Sequence, residues 1–327
     1  MNISVVVPVW NGRHLLAKLL DTLDAQTLRA REVIAVDNGS EDGAPELARE
    51  RGARVVPMGR NAGFAAAVNR GIGEARCDWI AVLNTDVELA PDYFERCCGA
   101  AASPEVWFVT GKILDARRNG QLDGAFDLTG RGATTWRAGS GRTDGPPFSE
   151  ARQISSAPWT AALFRAAVFG KVGFLDPLFG SYLEDVDFGL RCALHGVSGL
   201  YVPEAVAWHH GSASLGRWHP ETVRLIARNQ LLLAARHFPT RLWWPVLVAQ
   251  ALWGAVAIRH RQGGAWLQGV REGVRIFTKS RNKCETSVPG LLRHLAQNER
   301  VIYSIQSATS FDTYWRLYFL LTGGEAK

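Results

Sequence analysis

The sequence of 327 residues predicts an α/β fold, and three observations lead to that prediction. Short apolar runs rich in Val and Ile, such as ISVVVPVW at 3–10, have the composition of strands buried on both faces. These runs alternate with stretches in which Leu and Ala recur at helical spacing, as in βαβ units with a parallel sheet. Polar residues directly follow the runs, at the strand ends where ligands of such sheets bind.

The first hundred residues contain the regular part of this pattern. Strands are predicted at 3–10, 32–40, 53–58 and 78–86. Helices are predicted between them, at 13–25, 44–51 and 62–75. Asn11, Asp37, Arg60 and Asp86 fall where the strands end, so we expect these four side chains to meet at one edge of the sheet.

The pattern becomes less regular after residue 105. WFVTGKIL (107–114) has the composition of a further strand, whereas 115–150 is rich in Gly, Arg, Thr and Asp, which indicates loops or hairpins. The apolar stretch 156–173 is compatible with a helix. A short strand is predicted at 199–205.

The stretch GSYLEDVD (180–187) leads into an apolar segment with helical spacing. Glu184, Asp185 and Asp187 place three carboxylates within four positions of it. A carboxylate at a helix N-terminus lies near unpaired backbone N–H groups and the positive end of the helix dipole, so it can stay ionised while partly desolvated. A general base needs that condition. The same pattern is also typical of an ordinary N-cap with acidic first-turn residues.

Residues 220–327 are helical in pattern and rich in Trp, Arg and His. The segment 241–261 holds about seventeen nearly uncharged residues between basic ends, or roughly 26 Å of helix, against about 30 Å for a bilayer core. It is compatible with a helix at a membrane surface, a buried core helix or a membrane span. The last segment, 284–327, ends in FDTYWRLYFLL, which is compatible with a packing helix or with the surface of a homo-oligomer.

Composition limits the classes of partner and compartment. A net charge of +6 and a pI near 9.2 favour an anionic partner, such as nucleotide phosphates, anionic lipid or nucleic acid. The five cysteines form no CxxC pair, so neither a disulfide framework nor a zinc site is indicated, and a reducing, cytoplasmic compartment is expected. The N-terminus lacks a signal-peptide pattern, and neither GxGxxG nor GxxxxGK[ST] occurs.

Each polar residue at the strand ends has a structural explanation beside a functional one. Asp37 in VDNGS is typical of an Asx turn, and could instead accept a hydrogen bond from the ring N–H of a bound base. Asp86 in LNTDV is typical of a turn into a helix, or of an oxygen ligand for a divalent metal beside a diphosphate. His209 and His210 are compatible with buried or surface structural histidines, or with an imidazole ligand to such a metal. Arg60 is either solvated or paired with phosphate or a base edge.

Seven motifs resemble, in the same order, those of family 2 glycosyltransferases with the GT-A fold. They are VVVPVWNG (5–12), VDNGSEDG (36–43), RNAGFAAAVNRG (60–71), LNTDV (83–87), WTAALFRAAVFGKVGFLDPLF (159–179), YLEDVDFGLR (182–191) and HHGSAS (209–214). They cover roughly residues 3–215. In addition, 123–143 and 159–191 are similar to bacterial rhamnosyltransferases of surface-polysaccharide assembly.

The resemblance implies a fold and a division of the chain. The fold is a Rossmann-like mixed sheet flanked by helices, with a helical C-terminal extension. Residues 1–219 would form the catalytic domain, with the nucleotide sugar bound by 1–115 and the acceptor on the side of 116–219. Residues 220–327 would form the helical region, at a membrane surface or in an oligomer interface.

The resemblance also implies residues for the nucleotide. Asp37 and Asn38 would hold the nucleobase and ribose, together with Arg60. Many members of the family carry a second Asp where Asn38 stands, so the base preference of this chain is open. The same motifs add further nucleotide-binding residues, namely Pro8, Trp10, Asn84 and Thr85.

The remaining roles concern the metal and the chemistry. Asp86 and His209 would bind a divalent metal, Mg²⁺ or Mn²⁺, that bridges the donor diphosphate. Asp185 would be the catalytic base, and Glu184 would help to position the acceptor. The DxD motif of the family is Asn84-Thr85-Asp86 here, with one carboxylate fewer, which predicts weaker metal binding.

The implied activity is inverting transfer of a sugar to a glycan or lipid-linked acceptor, with dTDP-rhamnose first among dTDP- and UDP-linked donors. The enzyme is expected in the cytoplasm at the inner face of the cell membrane, with peripheral contact through its basic, Trp-rich C-terminal third. Two other functions are weighed against this one. A nucleotidyltransferase would normally carry a Gly-rich phosphate loop, which PVWNGRH (8–14) lacks, and a nucleic-acid-binding protein would carry a known module, which is not found.

Overall fold

The computed structural model describes residues 1–211, 218–280 and 288–323. The end of the HHGSAS motif, Cys284 and parts of the predicted 284–327 segment lie outside the described residues. The chain divides into two compact units. The first consists of Met1–Phe126 and Arg137–Ser214, and the second of Asp127–Trp136 and Leu215–Lys327.

Most of the described strands belong to one sheet. The strands are β1 (Ile3–Val9), β2 (Glu32–Asp37), β3 (Arg54–Pro57), β4 (Trp79–Leu83), β5 (Val87–Leu89), β6 (Val106–Asp115), β7 (Leu122–Gly124), β8 (Asp127–Thr129), β9 (Thr135–Arg137), β10 (Arg152–Ile154), β11 (Ala161–Arg165) and β12 (Ser198–His209). The sheet has the order β10-β12-β6-β11-β4-β1-β2-β3, with β5 beside β12 and β7 beside β6, while β8 and β9 form a hairpin. Strands β1 to β4 run parallel, and β11 runs antiparallel to both β4 and β6, so the sheet is mixed.

Helices connect and cover these strands. In the first unit they are α1 (Arg13–Asp24), α2 (Ala44–Glu50), α3 (Phe64–Glu74), α4 (Tyr93–Ala100), α5 (Ala167–Val172) and α6 (Glu184–Leu194). Both faces of β1 are buried, as its continuous apolar run predicts: Val5 packs in one core cluster with Leu16 of α1, and Val6 lies against Gly71 of α3. A β-carbon at Gly71 would come within 2.3 Å of the Val6 side chain, so glycine permits this close approach.

The register of the parallel strands places their ends side by side. Val9 of β1 is opposite Asp37 of β2, and Asp37 is opposite Pro57 of β3. The residues that follow these three strands therefore emerge at one edge of the sheet. This is the edge at which the sequence predicts a ligand site.

One prediction of local structure was wrong, and another was confirmed with a longer range. The stretch 156–173 is not one helix: it contains strand β11 followed by the short helix α5. Ala161–Phe164 of β11 is buried on both faces between β4 and β6, so it lacks the alternation by which a strand is recognised from sequence. The strand predicted at 199–205 extends to His209, because β12 pairs with β6 beyond an irregularity between Val202 and Val206.

The second unit contains the β8–β9 hairpin up to Trp136 and the C-terminal helices. These are α7 (Pro220–His237), α8 (Trp243–Arg259), α9 (Gly263–Ser280), α10 (Val288–Ala308) and α11 (Thr313–Thr322). The buried Glu299 carboxylate of α10 accepts hydrogen bonds from the backbone and guanidinium of Arg131 and from the hydroxyl of Tyr318. It thereby joins the hairpin to α10 and α11, and the pairing satisfies a charge that would be costly to bury alone.

Candidate active site

The loops after β1 and β2 are held together by short polar side chains. The Asn38 N–H donates to the Val9 carbonyl at 2.7 Å, and the Asn11 N–H donates to Ser40 Oγ at 2.9 Å. Asp37 Oδ1 accepts a hydrogen bond from the Ser40 N–H at 2.8 Å, which is the Asx turn that VDNGS suggests. Asp37 is nevertheless half-buried at the sheet edge, so its second oxygen can still face a ligand.

Asn38 connects these loops to the segment after β3. It is buried, its Nδ2 donates to Asn61 Oδ1 at 3.0 Å and to the Gly63 carbonyl, and its Oδ1 accepts from the Ala62 N–H at 2.8 Å. Both ends of the amide are therefore engaged within the protein. These hydrogen bonds give Asn38 a role in shaping the 60–63 loop.

The other residues predicted to bind the nucleotide lie along the same edge. Trp10 and Arg60 are exposed immediately beyond β1 and β3, and Pro8 is half-buried in β1. Asn84 and Thr85 form the half-buried turn after β4, where the Asn84 N–H donates to the Thr160 carbonyl at 3.0 Å. An aromatic ring and a cation on this rim are suited to a base and a phosphate.

Asp86 and His209 are brought together by strand pairing. Val87 of β5 is opposite His209 of β12, and the His210 N–H donates to the Asp86 carbonyl. As a result His209 Nε2 lies 3.1 Å from Asp86 Oδ1, although 123 residues separate them in sequence. Both side chains are almost completely buried.

A third residue, Asp123, completes this arrangement. Its Oδ2 lies 3.0 Å from His209 Nδ1, so the ring stands between two carboxylates. Burial lowers the pKa of His209, but the hydrogen bonds with Asp123 and Asp86 outweigh it and raise the pKa to about 9. Asp123 is not among the residues predicted for the site, because it lies in β7 within 115–150, whose composition indicates loops or hairpins.

The ring of the neighbouring His210 is also held by a carboxylate. Its Nε2 lies 2.6 Å from Glu88 Oε1, and Lys18 Nζ lies 3.5 Å from the same oxygen. Hydrogen bonding to His210 lowers the pKa of Glu88. His210 therefore has a partner of its own outside the Asp86–His209 pair.

Asp86 and His209 are compatible with a divalent metal only if other groups supply the remaining ligands. Within residues 1–211, 218–280 and 288–323, no group of three or more His, Cys, Asp or Glu side chains is arranged to hold a metal ion by itself. Asp86 and His209 would supply one oxygen and one nitrogen. Mg²⁺ commonly binds through one or two protein carboxylates, with phosphate oxygens and water in the other positions, so the two residues fit a metal shared with a diphosphate.

The acidic loop, residues 180–187, has a strained backbone where it enters α6. Tyr182 (φ 71°) and Leu183 (φ 68°) both adopt the left-handed conformation, which costs of order 1–3 kcal/mol for a non-glycine residue. The helix begins directly after them at Glu184, with Asp185 in its first turn. Such strain is typical of sites where the surrounding structure imposes one orientation on a functional group.

The three carboxylates of this loop have different environments. Asp187 is fully buried, and its Oδ2 accepts from Arg191 at 2.8 and 2.9 Å, so it is a structural ion pair. Glu184 is also buried, and its Oε2 has no hydrogen-bond partner in the described part of the chain. Burial, with the adjacent Asp185 charge, raises the pKa of Glu184 well above its usual range. This environment favours the protonated form of Glu184, whereas Asp185 remains partly exposed at the helix N-terminus.

Arg137 is a second residue of this region that is not among the predicted site residues. One guanidinium nitrogen lies 3.5 Å from Asp185 Oδ2, and another lies 3.5 Å from Thr160 Oγ1. Its aliphatic part lies against Gly124, where a β-carbon would come within 2.4 Å of Arg137 Cδ. Gly124 is next to Asp123, so Arg137 connects the surroundings of His209 with those of Asp185.

The loop at 180–187 also contacts the segment that leads into α3. The Gly180 carbonyl accepts from the Ala65 N–H at 3.0 Å, and a β-carbon at Gly63 would lie 3.1 Å from the same oxygen. The segment that starts α3 and the segment that starts α6 are therefore in contact. The expected meeting of polar residues at one sheet edge is confirmed, and it includes the acidic loop.

A mixed sheet of this topology, with a carboxylate–imidazole pair at its strand ends and an acidic helix N-terminus beside them, defines a GT-A glycosyltransferase fold. A family model described as glycosyl transferase family 2 matches residues 4–173. A relative in Mycobacterium tuberculosis, named N-acetylglucosaminyl-diphospho-decaprenol L-rhamnosyltransferase, is 31% identical over 287 residues, which cover 78% of this chain and 90% of the relative. This chain belongs to the family 2 glycosyltransferases.

Solved structures agree on the fold. GalNAc-T7 with UDP, GalNAc and Mn²⁺ superposes with a TM-score of 0.64 at 13% identity, over 95% of this chain and 58% of that one. The mannosyltransferase PcManGT from Pyrobaculum calidifontis, in complex with GDP-Man and Mn²⁺, gives a TM-score of 0.53 at 16% identity, over 99% of this chain and 88% of that one. Family membership identifies the protein as a glycosyltransferase, so the nucleotidyltransferase and nucleic-acid-binding alternatives are set aside.

Proposed function

We propose that this glycosyltransferase transfers a sugar from a nucleotide donor to a glycan or lipid-linked acceptor in the synthesis of a cell-surface polysaccharide. Rhamnose from dTDP-rhamnose is the first candidate, with UDP-linked donors next. The support is the relative named as an L-rhamnosyltransferase acting on N-acetylglucosaminyl-diphospho-decaprenol, which aligns over 90% of its own length. In this proposal residues 1–115 bind the donor, 116–219 face the acceptor, and 220–327 serve attachment to a membrane or to another copy.

The donor lies along the edge after β1, β2 and β3. Asp37 accepts from the base, Trp10 and Pro8 border the base and ribose, and Arg60 pairs with phosphate or the base edge. Asn38 acts through the 60–63 loop, which it holds by hydrogen bonds to Asn61, Ala62 and Gly63. The turn at Asn84 and Thr85 brings the diphosphate to Asp86.

Asp185 is the base of the proposed reaction. It takes the proton of an acceptor hydroxyl as that oxygen attacks the anomeric carbon, while the nucleoside diphosphate departs from the opposite face. Transfer with inversion needs one base and no carboxylate nucleophile, and only one of the two adjacent carboxyls is suited to the task. Glu184 is buried and its raised pKa favours the protonated form, so its proposed role is to hold the shape of the acceptor side.

Asp86 and His209 would hold the divalent metal, and Asp123 would orient the His209 ring from its other nitrogen. A cation there offsets the negative charge that the departing diphosphate gathers. A carboxylate behind a metal-binding histidine fixes the ring and strengthens it as a ligand. This assigns Asp123 as a positioning residue for the metal site.

One observation carries the proposal: a continuous path of contacts joins the metal-side residues to the base. It runs through Asp86, His209, Asp123, Gly124, Arg137 and Asp185. Transfer requires the diphosphate and the acceptor hydroxyl to lie within a few ångströms of the same anomeric carbon. Such a path is expected of one reaction centre and not of two unrelated surface features.

The decisive test is release of nucleoside diphosphate from a panel of purified sugar nucleotides, with Mg²⁺, with Mn²⁺ and with EDTA. A polyprenyl-diphospho-N-acetylglucosamine acceptor is present in one arm and absent in the other. Acceptor-dependent turnover of dTDP-rhamnose, lost in EDTA, is the expected result. Failure of every sugar nucleotide to bind would overturn the site assignment at Asp37, Arg60 and Asp86, and turnover of a different donor would replace rhamnose.

A further inference from the structure

Helix α8 exposes a face made only of apolar residues. From Trp243 to Ile258 the exposed positions are Trp244, Leu247, Ala251, Ala255 and Ile258. Their spacing of three and four residues puts them on one side of the helix. Trp244, Leu247 and Ile258 are each more than half exposed, at 60%, 53% and 64%. A helix that faces water normally presents polar residues on that side.

The end of helix α11 continues this face. Trp244 Nε1 donates a hydrogen bond to the Leu321 carbonyl at 2.9 Å, which places the end of α11 beside the start of α8. Leu320 is 76% exposed and Leu321 is 48% exposed. Large side chains from two adjacent helices therefore extend one exposed apolar surface, of the kind that marks a contact with a partner or a membrane.

The surroundings of this face are basic. Arg241 precedes α8, and Arg259 and Arg261 stand at its far end, all three exposed. Neither α8 nor α11 contains an Asp or Glu. Residues 215–327 hold sixteen Lys and Arg against six Asp and Glu, a net charge of +10, whereas the whole chain carries +6. The positive charge of the protein is thus concentrated in the unit that exposes the apolar face.

The opposite side of α8 packs against α7 and α9. Of the apolar window in Thr240–Arg259, which by length and composition could cross a membrane, 44% is buried within the protein. Gln250 Nε2 donates to the Ala227 carbonyl of α7, and Gln250 Oε1 accepts from Trp266 Nε1 of α9. A β-carbon at Gly254 would lie 2.7 Å from the Trp266 ring. Crossing a bilayer would break these contacts, whereas lying on its surface keeps them.

We propose that the docking face, formed by Trp244, Leu247, Ile258, Leu320 and Leu321, binds the surface of an anionic lipid membrane with α8 parallel to the bilayer plane. Arg241, Arg259 and Arg261 reach the anionic head groups, while Trp244 and the aliphatic side chains enter the boundary with the acyl chains. A second copy of the chain is a poorer occupant. It would bring two basic units together with no acidic residue on α8 or α11 to neutralise them.

The test uses the full-length protein and flotation with vesicles of phosphatidylglycerol and phosphatidylcholine, or of phosphatidylcholine alone. Leu247→Ser with Leu320→Ser removes apolar side chains from the docking face. Leu267→Ser with Val274→Ser removes exposed apolar side chains from α9 and is the matched control. No sugar nucleotide or acceptor is present, so failure here is separate from failure of the proposed function.

Wild type and control should float with anionic vesicles, less so at 0.5 M salt. The docking-face variant should bind about tenfold or more weakly, because two leucine side chains no longer leave water. Equal flotation of the docking-face variant and wild type, or no flotation of wild type, would overturn the proposal. A wild-type dimer in light scattering that the docking-face variant converts to a monomer, without vesicle binding, would assign the face to a second copy instead.

Discussion

The Nδ1 atom of His209 lies 3.0 Å from Asp123 Oδ2, and Nε2 of the same ring lies 3.1 Å from Asp86 Oδ1. The imidazole is therefore held in one orientation from both sides. Strands β7 and β12 both pair with β6, which is how Asp123 reaches a histidine 86 residues away. This relationship gives the proposed metal site a supporting carboxylate, Asp123.

Replacing Asp123 should weaken metal binding without unfolding the protein. We expect Asp123→Ala to lower the affinity for Mn²⁺, titrated calorimetrically in the presence of dTDP, by about 10–100-fold, because the His209 ring loses its orienting partner. Asp123→Asn keeps a hydrogen-bond acceptor and should lose less. Asp78→Asn, at an exposed position before β4, is the control and should bind Mn²⁺ like wild type. Unchanged affinity in Asp123→Ala would show that Asp123 does not support the site.

Substitutions of Asp185, the proposed base, and of Asp86, the proposed metal ligand, should have different effects on donor binding and on transfer. Asp185→Asn retains the size of the side chain but cannot take a proton, so transfer should fall by at least about 100-fold while donor binding stays within about twofold. Asp86→Ala should weaken both donor binding and transfer, since Asp86 would hold the metal that offsets the charge of the diphosphate. Donor Kd by calorimetry and turnover by product release distinguish the two. Equal turnover by Asp185→Asn and wild type would remove Asp185 from the reaction.

The raised pKa of Glu184 predicts the direction in which the free energy of unfolding changes with pH. Burial and the Asp185 charge raise its pKa in the folded protein above the unfolded value of 4.5. Below pH 4.5 both states are protonated and its contribution to stability is complete. As pH rises further, the unfolded chain ionises first, so the free energy of unfolding falls until the folded pKa is passed.

The side chain introduced by Glu184→Gln does not titrate, so it should not contribute to the fall in the free energy of unfolding as pH rises. The free energy of unfolding of Glu184→Gln minus that of wild type should therefore increase between pH 5 and pH 8, as measured by urea denaturation. Other titrating groups are common to both proteins and cancel in the difference. A difference that is constant with pH would mean that Glu184 is ionised in the folded state.

Asn38→Asp introduces the aspartate that many members of the family carry at this position. Asn38→Asp replaces the Nδ2 donor with an oxygen, so the contacts with Asn61 Oδ1 and the Gly63 carbonyl become contacts between acceptors. We expect a loss of roughly 1–3 kcal/mol in the free energy of unfolding, with weaker donor binding and an unchanged order of base preference. Asn61→Ala, which alters the same contact at an exposed residue, should cost less. A stable Asn38→Asp protein with a new base preference would place Asn38 in contact with the nucleobase.

Structure could be predicted from the sequence where the pattern that indicates it lies within one short segment. The strands ending before Trp10, Asn38 and Asn84 could be predicted because buried parallel strands are short runs of apolar residues bounded by turns. The acidic loop could be located because three carboxylates precede a helical period. β11 could not, since a strand buried on both faces between two others has no alternation to distinguish it from a helix.

Sequence alone established the family motifs, their order, and the candidate residues Asp37, Asp86, Asp185 and His209. Only the tertiary structure decided which polar groups are used internally, as with Asn38 and Asp187, and which distant residues join the site, as with Asp123 and Arg137. It also decided which side of α8 is buried and which is exposed. The physical reason is that helical and strand periods depend on neighbouring residues, whereas hydrogen-bond partners and burial depend on the packing of segments far apart in the chain.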